Sequence, residues 1–189
     1  MGTVAPTRRV VIDLCGGTGS WSRPYIEAGY DVRIVDRLTT GEDVRLLSLP
    51  RRRPHGVLAA PPCQHFSASG ARWWAKRGDA ALLEGPSIVD ACLRFIVAAQ
   101  PEWWVLENPE GRLRRFLGPP VFTFHPYQFG GLFSKKTLLW GRFTPPTIGP
   151  VVEPSKGKWG HRDAPRSDRG LKRAMTFSGF AQAFFEANP

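Results

Sequence analysis

Arg9-Val10-Val11-Ile12-Asp13-Leu14-Cys15-Gly16-Gly17-Thr18-Gly19-Ser20 is the stretch whose reading decides the fold. Arg9 to Leu14 is apolar apart from its first residue and Asp13, which predicts a strand lying inside a parallel sheet. The glycine cluster behind it must turn sharply, and Ser20 is expected to cap a helix running towards Gly29. Strand, glycine turn and helix together open an α/β unit in which the backbone can approach a ligand closely. The pattern is not the dinucleotide fingerprint, because counting from Gly17 the third glycine position holds Ser22.

Working outward, Asp31 to Asp36 reads as a second strand ending in a carboxylate, 17 residues past Gly19. An acid at that distance is placed to bind a ribose diol, so the pair predicts a nucleoside-bearing ligand. Gly56-Val57-Leu58-Ala59-Ala60 is a third strand, stopped by Pro61-Pro62, neither of which can donate to a ladder. Cys63 follows at once. From Pro86 to Gln100, Ile88, Val89, Cys92, Leu93, Ile96 and Val97 recur at helical spacing, with Pro86 expected at the start of that helix. Glu102 to Glu107 is a fourth strand, again ending in a carboxylate and followed by Asn108-Pro109. This alternation is the signature of a parallel α/β sheet. Beyond Gly111 the texture becomes rich in Pro, Gly, Phe and Arg, with strands expected at Val121–His125 and Thr137–Trp140. Lys156 to Arg173 reads as a basic, breaker-rich loop, and Ser178 to Ala187 as a closing amphipathic helix carrying Phe180, Phe184 and Phe185.

A chain of 189 residues predicts a single domain with one sizeable core. Within it, 9–110 form the core, 111–175 a basic region and 176–189 the last helix. No apolar run approaches the roughly 18 residues needed to span a bilayer. No secretory leader is read, so a cytoplasmic, non-membrane protein is expected. Cys15, Cys63 and Cys92 show no metal-type spacing and make an odd count, which predicts neither a disulfide framework nor a metal site. Charge is unevenly distributed. Residues 1–110 carry 13 Lys/Arg against 12 Asp/Glu, whereas residues 111–173 carry 13 against 3, so the net charge of +10 sits in one block. An acidic lipid surface would suit such a block, but a phosphate polymer suits it better.

In one parallel sheet the glycine turn, Cys63 and Glu107 all leave the same carboxyl edge, where ligands of open α/β sheets bind. A thiolate can add to the electron-poor carbon-6 of a cytosine ring when N3 is protonated or hydrogen-bonded. Addition makes carbon-5 nucleophilic enough to take a methyl group from a sulfonium, and a carboxyl group beside N3 is the acid this needs. The plainer readings remain open: Cys63 as a small apolar filler, and Glu107 as an ordinary capping or salt-bridging acid.

With these pieces in place, the sequence resembles the cytosine-carbon-5 DNA methyltransferases, particularly the compact forms of bacteriophages and their hosts. The likeness runs over residues 9–110. It implies a Rossmann-like, S-adenosylmethionine-dependent methyltransferase fold with a mostly parallel sheet and a small basic substrate-binding region. Asp13, Leu14, Gly16, Gly17, Thr18, Gly19 and Trp21 match the S-adenosylmethionine loop, Asp36 the ribose contact, Asp43 and Val44 the adenine contact. Pro61 would border the cofactor, Cys63 would attack carbon-6, and Glu107, held by Asn108-Pro109, would stabilise N3. The target base must then be flipped out of a DNA duplex, with Gln64, His65, Ser67 and Asn108 near it. Larger members carry Gln-x-Arg-x-Arg before a strand. Here Ser134 replaces the first arginine and Lys136 the second, a point charge for a bidentate fork, in the Lys-x-x-x-x-Trp-Gly style of the compact members (Lys135 to Gly141).

No separate recognition domain fits this length, so Arg112, Arg114, Arg115, Lys135, Lys136, Arg142, Lys156 and Lys158 are expected on phosphates. Phe129, Phe133 and Trp159 are candidates to stack on bases, with core packing favoured for Phe133 and Trp140. Asn188 would close the cofactor pocket as a late asparagine of the family does. A monomer in the cytoplasm of a bacterial or phage-infected cell is expected. Two rivals stand beside this reading: the same chemistry on free nucleotides or RNA, and a non-catalytic DNA-binding relative.

Overall fold

The computed structural model describes residues 8–67, 74–149, 151, 153–154 and 175–189. Six strands build one sheet in the order β2-β1-β3-β4-β6-β5: β1 (Val10–Leu14), β2 (Asp31–Val35), β3 (Gly56–Ala59), β4 (Trp103–Pro109), β5 (Phe122–Phe124) and β6 (Thr137–Arg142). The first four are parallel; β6 runs antiparallel to both β4 and β5. Among the described residues four α-helices accompany them: α1 (Arg23–Glu27), α2 (Trp74–Ala99), α3 (Arg114–Leu117) and α4 (Ser178–Ala187). Leu14 lies beside Ala59 and Ala59 beside Leu106. This register brings the ends of β1, β3 and β4 level, so the three loops that follow share one edge.

The period-two alternation of the strands divides the core between the two faces of the sheet. Ile12, Leu14, Val57, Ala59, Leu106 and Trp140 pack with Cys92, Phe95 and Ile96 of α2. Val11, Leu58, Val105 and Leu139 pack with Trp21, Tyr25, Phe180 and Phe184 on the other face. Each fully buried ring or branched side chain there contributes about 1.5–3 kcal/mol. Helix α4 forms where the sequence placed it, and Asn188 clamps its end. The Asn188 side chain accepts from Thr144 N–H and donates to the Thr144 and Phe184 carbonyls, while its carbonyl accepts from the Tyr25 hydroxyl. These bonds make Asn188 a structural clamp, correcting its expected place at the cofactor pocket.

Three local expectations are also revised. Helix α2 does not begin at Pro86; it runs from Trp74 across a break at Gly78 (φ 71°, ψ 174°). Pro86 lies inside it, and the Ser87 hydroxyl donates to the nearby Glu84 carbonyl at 2.8 Å. Ser20 caps nothing. Helix α1 starts at Arg23, with Pro24 in its first turn, and the Ser20 hydroxyl accepts instead from Thr176 N–H. Finally, β4 continues past Glu107, because β6 pairs with Asn108 and Pro109 from the other side. Doubly wound sheets commonly place a further strand outside the second. Here the link between β2 and β3 forms only a 3₁₀ turn at Val44–Leu46, and β2 is the edge. Among the described residues no helix is long and apolar enough to cross a membrane.

Candidate active site

The glycine turn is drawn tightly over the end of β1. Cys15 takes a positive φ of 57° and donates its N–H to the Val35 carbonyl at 2.7 Å. A Cβ on Gly16 would sit 2.4 Å from Cγ of Asp13, so only glycine passes there. Gly19 has φ +69°, and a Cβ on it would meet Ile34 at 2.5 Å. Asp13 is 0% exposed beneath this turn. The Ser22 hydroxyl donates to its Oδ2 at 2.6 Å, while Oδ1 is buried without a partner. Burial pushes the Asp13 carboxyl up to about 7, against the Ser22 hydrogen bond and with a small push from Asp36.

Asp36 braces the turn from β2: its carboxylate accepts from the N–H groups of Gly17, Leu38 and Thr39 at 3.2, 2.8 and 3.0 Å. A diol would share a carboxylate already engaged by backbone. Asp43 caps the 3₁₀ turn and grips Arg45, whose hydrogen bonds hold its carboxyl down at about 2. Val44 and Leu14 are core side chains, and Thr18 is exposed. Trp21, expected at the cofactor, is only 2% exposed and packs edge-on against Phe184 at 5.5 Å, so its ring belongs to the core.

The loop after β3 is held on three sides. Pro61 and Pro62 lead into a 3₁₀ turn at Cys63–His65, and the Cys63 carbonyl accepts from Phe66 and Ser67 N–H at 3.1 and 2.8 Å. From β4, the fully buried Asn108 donates through Nδ2 to the Pro61 carbonyl at 2.9 Å; its Oδ1 is buried without a partner. From the next loop, Ser67 bridges to Gly111 and Arg112 N–H donates to the Phe66 carbonyl at 2.8 Å. A Cβ on Gly111 would lie 2.1 Å from that carbonyl oxygen. From α2, Gly85 presses so closely that a Cβ there would lie 2.6 Å from Cβ of His65. His65 is accordingly a packed side chain, 6% exposed, while Cys63 is partly exposed and Gln64 exposed. Gly85 and Gly111 were not singled out in the sequence, although a lone glycine inside a helical pattern is a recognised sign of close approach.

Glu107 keeps only 17% of its side-chain surface. Burial raises its carboxyl above the ordinary range, and Lys135, with Nζ 4.0 Å from Oε1, partly opposes that rise. The lysine arrives because β6 runs antiparallel to β4 and Thr137 pairs with Pro109. Lys136, expected on substrate, pairs with Glu110 at 2.5 Å. Ser134 shares a hydrogen bond with the ring of His125. Arg112 is half-buried, and Arg114 and Arg115 are exposed on α3. Phe129, expected to stack on bases, is half-buried and packs on Phe124 and Phe180 at 5.5 and 5.4 Å. Trp140 is core, its Nε1 donating to the Gly118 carbonyl. Lys156, Lys158 and Trp159 lie outside the described residues. No cluster of His, Cys, Asp and Glu suited to a metal ion occurs among the described residues.

No family model and no curated protein sequence matches the chain. Solved structures do. A protein assigned as a DNA modification methyltransferase, encoded within an E. coli prophage, superposes with a TM-score of 0.53 at 21% identity, covering 76% of this chain and 53% of that one. An Entamoeba histolytica methyltransferase gives 0.47 at 14%, over 80% and 58%, and the S. pombe methyltransferase Dnmt2 gives 0.43 at 16%, over 72% and 50%. The chain thus spans about half the length of each. The first shows a shared fold, the mostly parallel Rossmann-like sheet of these enzymes; the other two are too distant to add to it.

Proposed function

We propose that this chain transfers a methyl group from S-adenosylmethionine to carbon-5 of a cytosine in DNA. The observation that carries the proposal is the Asn108–Pro61 hydrogen bond. It fastens the loop bearing Cys63 to the strand end bearing Glu107, whose buried carboxyl has a raised pKa. A plain structural cysteine needs no such acid on the strand end to which its loop is tied. The glycine turn supports a cofactor at the same edge. Gly16 lets the turn lie directly on the Asp13 carboxyl, Asp13 keeps a buried oxygen without a partner, and Asp36 offers a half-buried carboxylate. The turn and Asp36 would hold S-adenosylmethionine, which supplies an electrophilic methyl group.

The chain's own side chains then divide the work. Cys63, having given its thiol proton to water, bonds through Sγ to carbon-6 of an extruded cytosine, and the C5–C6 π electrons move to carbon-5. Glu107, favoured in its protonated form, donates to N3 and stabilises the charge that would build there. Lys135 keeps that acid from becoming too weak. Once carbon-5 carries the methyl group, its proton passes to water, the C5–H electron pair re-forms the C5–C6 double bond, and Sγ leaves as thiolate. Asn108 and the Gly85 and Gly111 contacts keep Sγ in place, which matters because misplacement by about 1 Å can cost roughly a hundredfold in rate. The partner proposed is duplex DNA, whose phosphates suit Arg112, Arg114, Arg115 and the basic residues after them.

A duplex carrying 5-fluorocytosine tests this, because carbon-5 then has no proton to lose. With labelled cofactor the protein is expected to become covalently attached to the DNA through Cys63, and Cys63→Ala is expected to abolish attachment. Methylation by Cys63→Ala at the normal rate would refute the assignment, and attachment only to free nucleotide would refute the polymer.

A further inference from the structure

Lys135 meets Glu107 from outside the sheet ladder. The ladder ends where Pro109 of β4 and Phe124 of β5 flank Thr137, the first residue of β6. Ser134, Lys135 and Lys136 come before it, so strand register does not fix them. Three contacts hold Lys135 and the residue after it: the Thr137 hydroxyl donates to the Lys135 carbonyl at 3.1 Å, Glu110 N–H donates to the Lys136 carbonyl at 2.9 Å, and the Lys136 ammonium pairs with Glu110. On the preceding side the adjacent anchor is Ser134, whose hydroxyl lies 2.9 Å from Nδ1 of His125. Between these anchors Lys135 sets its Nζ 4.0 Å from Oε1 of Glu107.

His125 is a fixed point. Its N–H donates to Gln128 Oε1 at 2.7 Å, its carbonyl accepts from Gln128 N–H at 3.0 Å, and its ring stacks on Tyr127 with centroids 5.1 Å apart. The chain then doubles back through Gly130 (φ 88°), with Gly131 N–H donating to the Pro126 carbonyl at 2.9 Å, and returns Ser134 to the same ring. We propose that His125 is a positioning residue: through Ser134 it fixes where Lys135 stands and so how strongly that cation acts on the Glu107 carboxyl. The proposal rests on the reading of Glu107 as the acid at N3, since the cation beside an acid decides how readily it gives up its proton. A cation at this range favours the ionised carboxylate, and its effect fades with distance. A lysine released from its anchor spreads over many rotamers, so its average hold on Glu107 weakens. Lys136 cannot take its place, because it is paired with Glu110. Burial, and after it Lys136, hold the His125 ring below its ordinary value, with Glu110 opposing. At neutral pH the ring is therefore uncharged, and it anchors Ser134 by hydrogen bonding rather than by charge.

The test is a pH titration of the Glu107 carboxyl by carbon-13 NMR, in the full chain labelled at its glutamate carboxyls, with Glu107→Gln identifying the signal. Lys135→Met removes the cation and is expected to raise the Glu107 midpoint further. Ser134→Ala removes no charge, yet is expected to raise it in the same direction, by roughly half as much or more. His125→Ala should match Ser134→Ala, and the two together should do no more than either alone, because both sever one contact. His125→Asn, whose amide can stand where Nδ1 stands, should restore the native midpoint. Melting of each variant is compared with that of the native chain; a purely structural His125 would lower the melting temperature and leave the midpoint in place. Four results would overturn the proposal: a midpoint unmoved by Lys135→Met; one unmoved by Ser134→Ala; a Ser134→Ala shift as large in the Lys135→Met background as in the native one; or His125→Asn behaving like His125→Ala. The titration needs no turnover, so its outcome is separate from that of methyl transfer. An unaltered chain that fails to methylate cytosine would refute the proposed function and leave the placement of Lys135 to be decided by the titration.

Discussion

Asp13→Asn should stabilise this protein at neutral pH by an amount that depends on pH in a defined way. Asp13 is 0% exposed, receives one hydrogen bond from Ser22 and keeps Oδ1 without a partner. Its folded carboxyl titrates at about 7, against 3.8 for an ordinary aspartate. Below the unfolded value both states hold the proton and no linkage exists. Between the two values the unfolded chain ionises while the folded one stays protonated, so native stability falls by about 1.4 kcal/mol per pH unit. Over a span of about three pH units the loss reaches about 4 kcal/mol, and it levels off above pH 7 or so. Asparagine has nearly the same shape, can still accept from Ser22 and cannot ionise, so it escapes that loss. The assay is urea unfolding of both proteins at a series of pH values from about 4 to 8.5, comparing free energies rather than midpoints. Glu107, whose carboxyl is also raised, is present in both proteins and cancels in the difference. The advantage of asparagine should grow steadily to neutral pH and then level. A difference that stays constant across the range would show that Asp13 is ionised in the folded protein and refute the reasoning.

Further outcomes follow from the same contacts. Gly85→Ala places a Cβ 2.6 Å from His65 Cβ, so methyl transfer should fall by roughly a hundredfold through displacement of the Cys63 loop, with the circular dichroism of the sheet preserved; undiminished turnover would show that the contact does not position the loop. Asn108→Ala strands the Pro61 carbonyl and should cost about 1–3 kcal/mol in chemical unfolding, with a larger effect on turnover than on substrate affinity. Lys135→Met removes the cation that opposes the rise in the Glu107 carboxyl. If protonated Glu107 is the working form, the alkaline limb of the pH–rate profile should move to higher pH; a shift to lower pH would contradict that form.

Much of the fold could be read locally. Strands β1, β2 and β3 follow from short apolar runs bounded by glycine or proline, and α4 from Phe180 and Phe184 spaced at one helical turn. The positive φ values of Gly17 and Gly19 are a backbone demand that sequence can announce, because few other residues adopt them. Local reading failed where tertiary contacts outweighed local preference. Pro86 suits a helix start, yet α2 continues to its N-terminal side, where Gly85 meets the Cys63 loop. Trp21 and Phe129 offer rings that could bind a ligand equally well, but the second face of the sheet needed them to fill its core.

What the sequence by itself determined is therefore the inventory and its order: a glycine turn, a cysteine behind two prolines, an acid at a strand end, and a basic block. Each depends on residue type and short-range backbone geometry. Only the tertiary structure decided the state of those groups. Burial, a property of the whole packed sheet, raises the carboxyls of Asp13 and Glu107. Antiparallel pairing of β6 delivers Lys135 to Glu107 and Lys136 to Glu110. The Asn108 amide crosses between strands to the Pro61 carbonyl. Desolvation and pairing act between residues far apart in the chain, so no local pattern could have announced them.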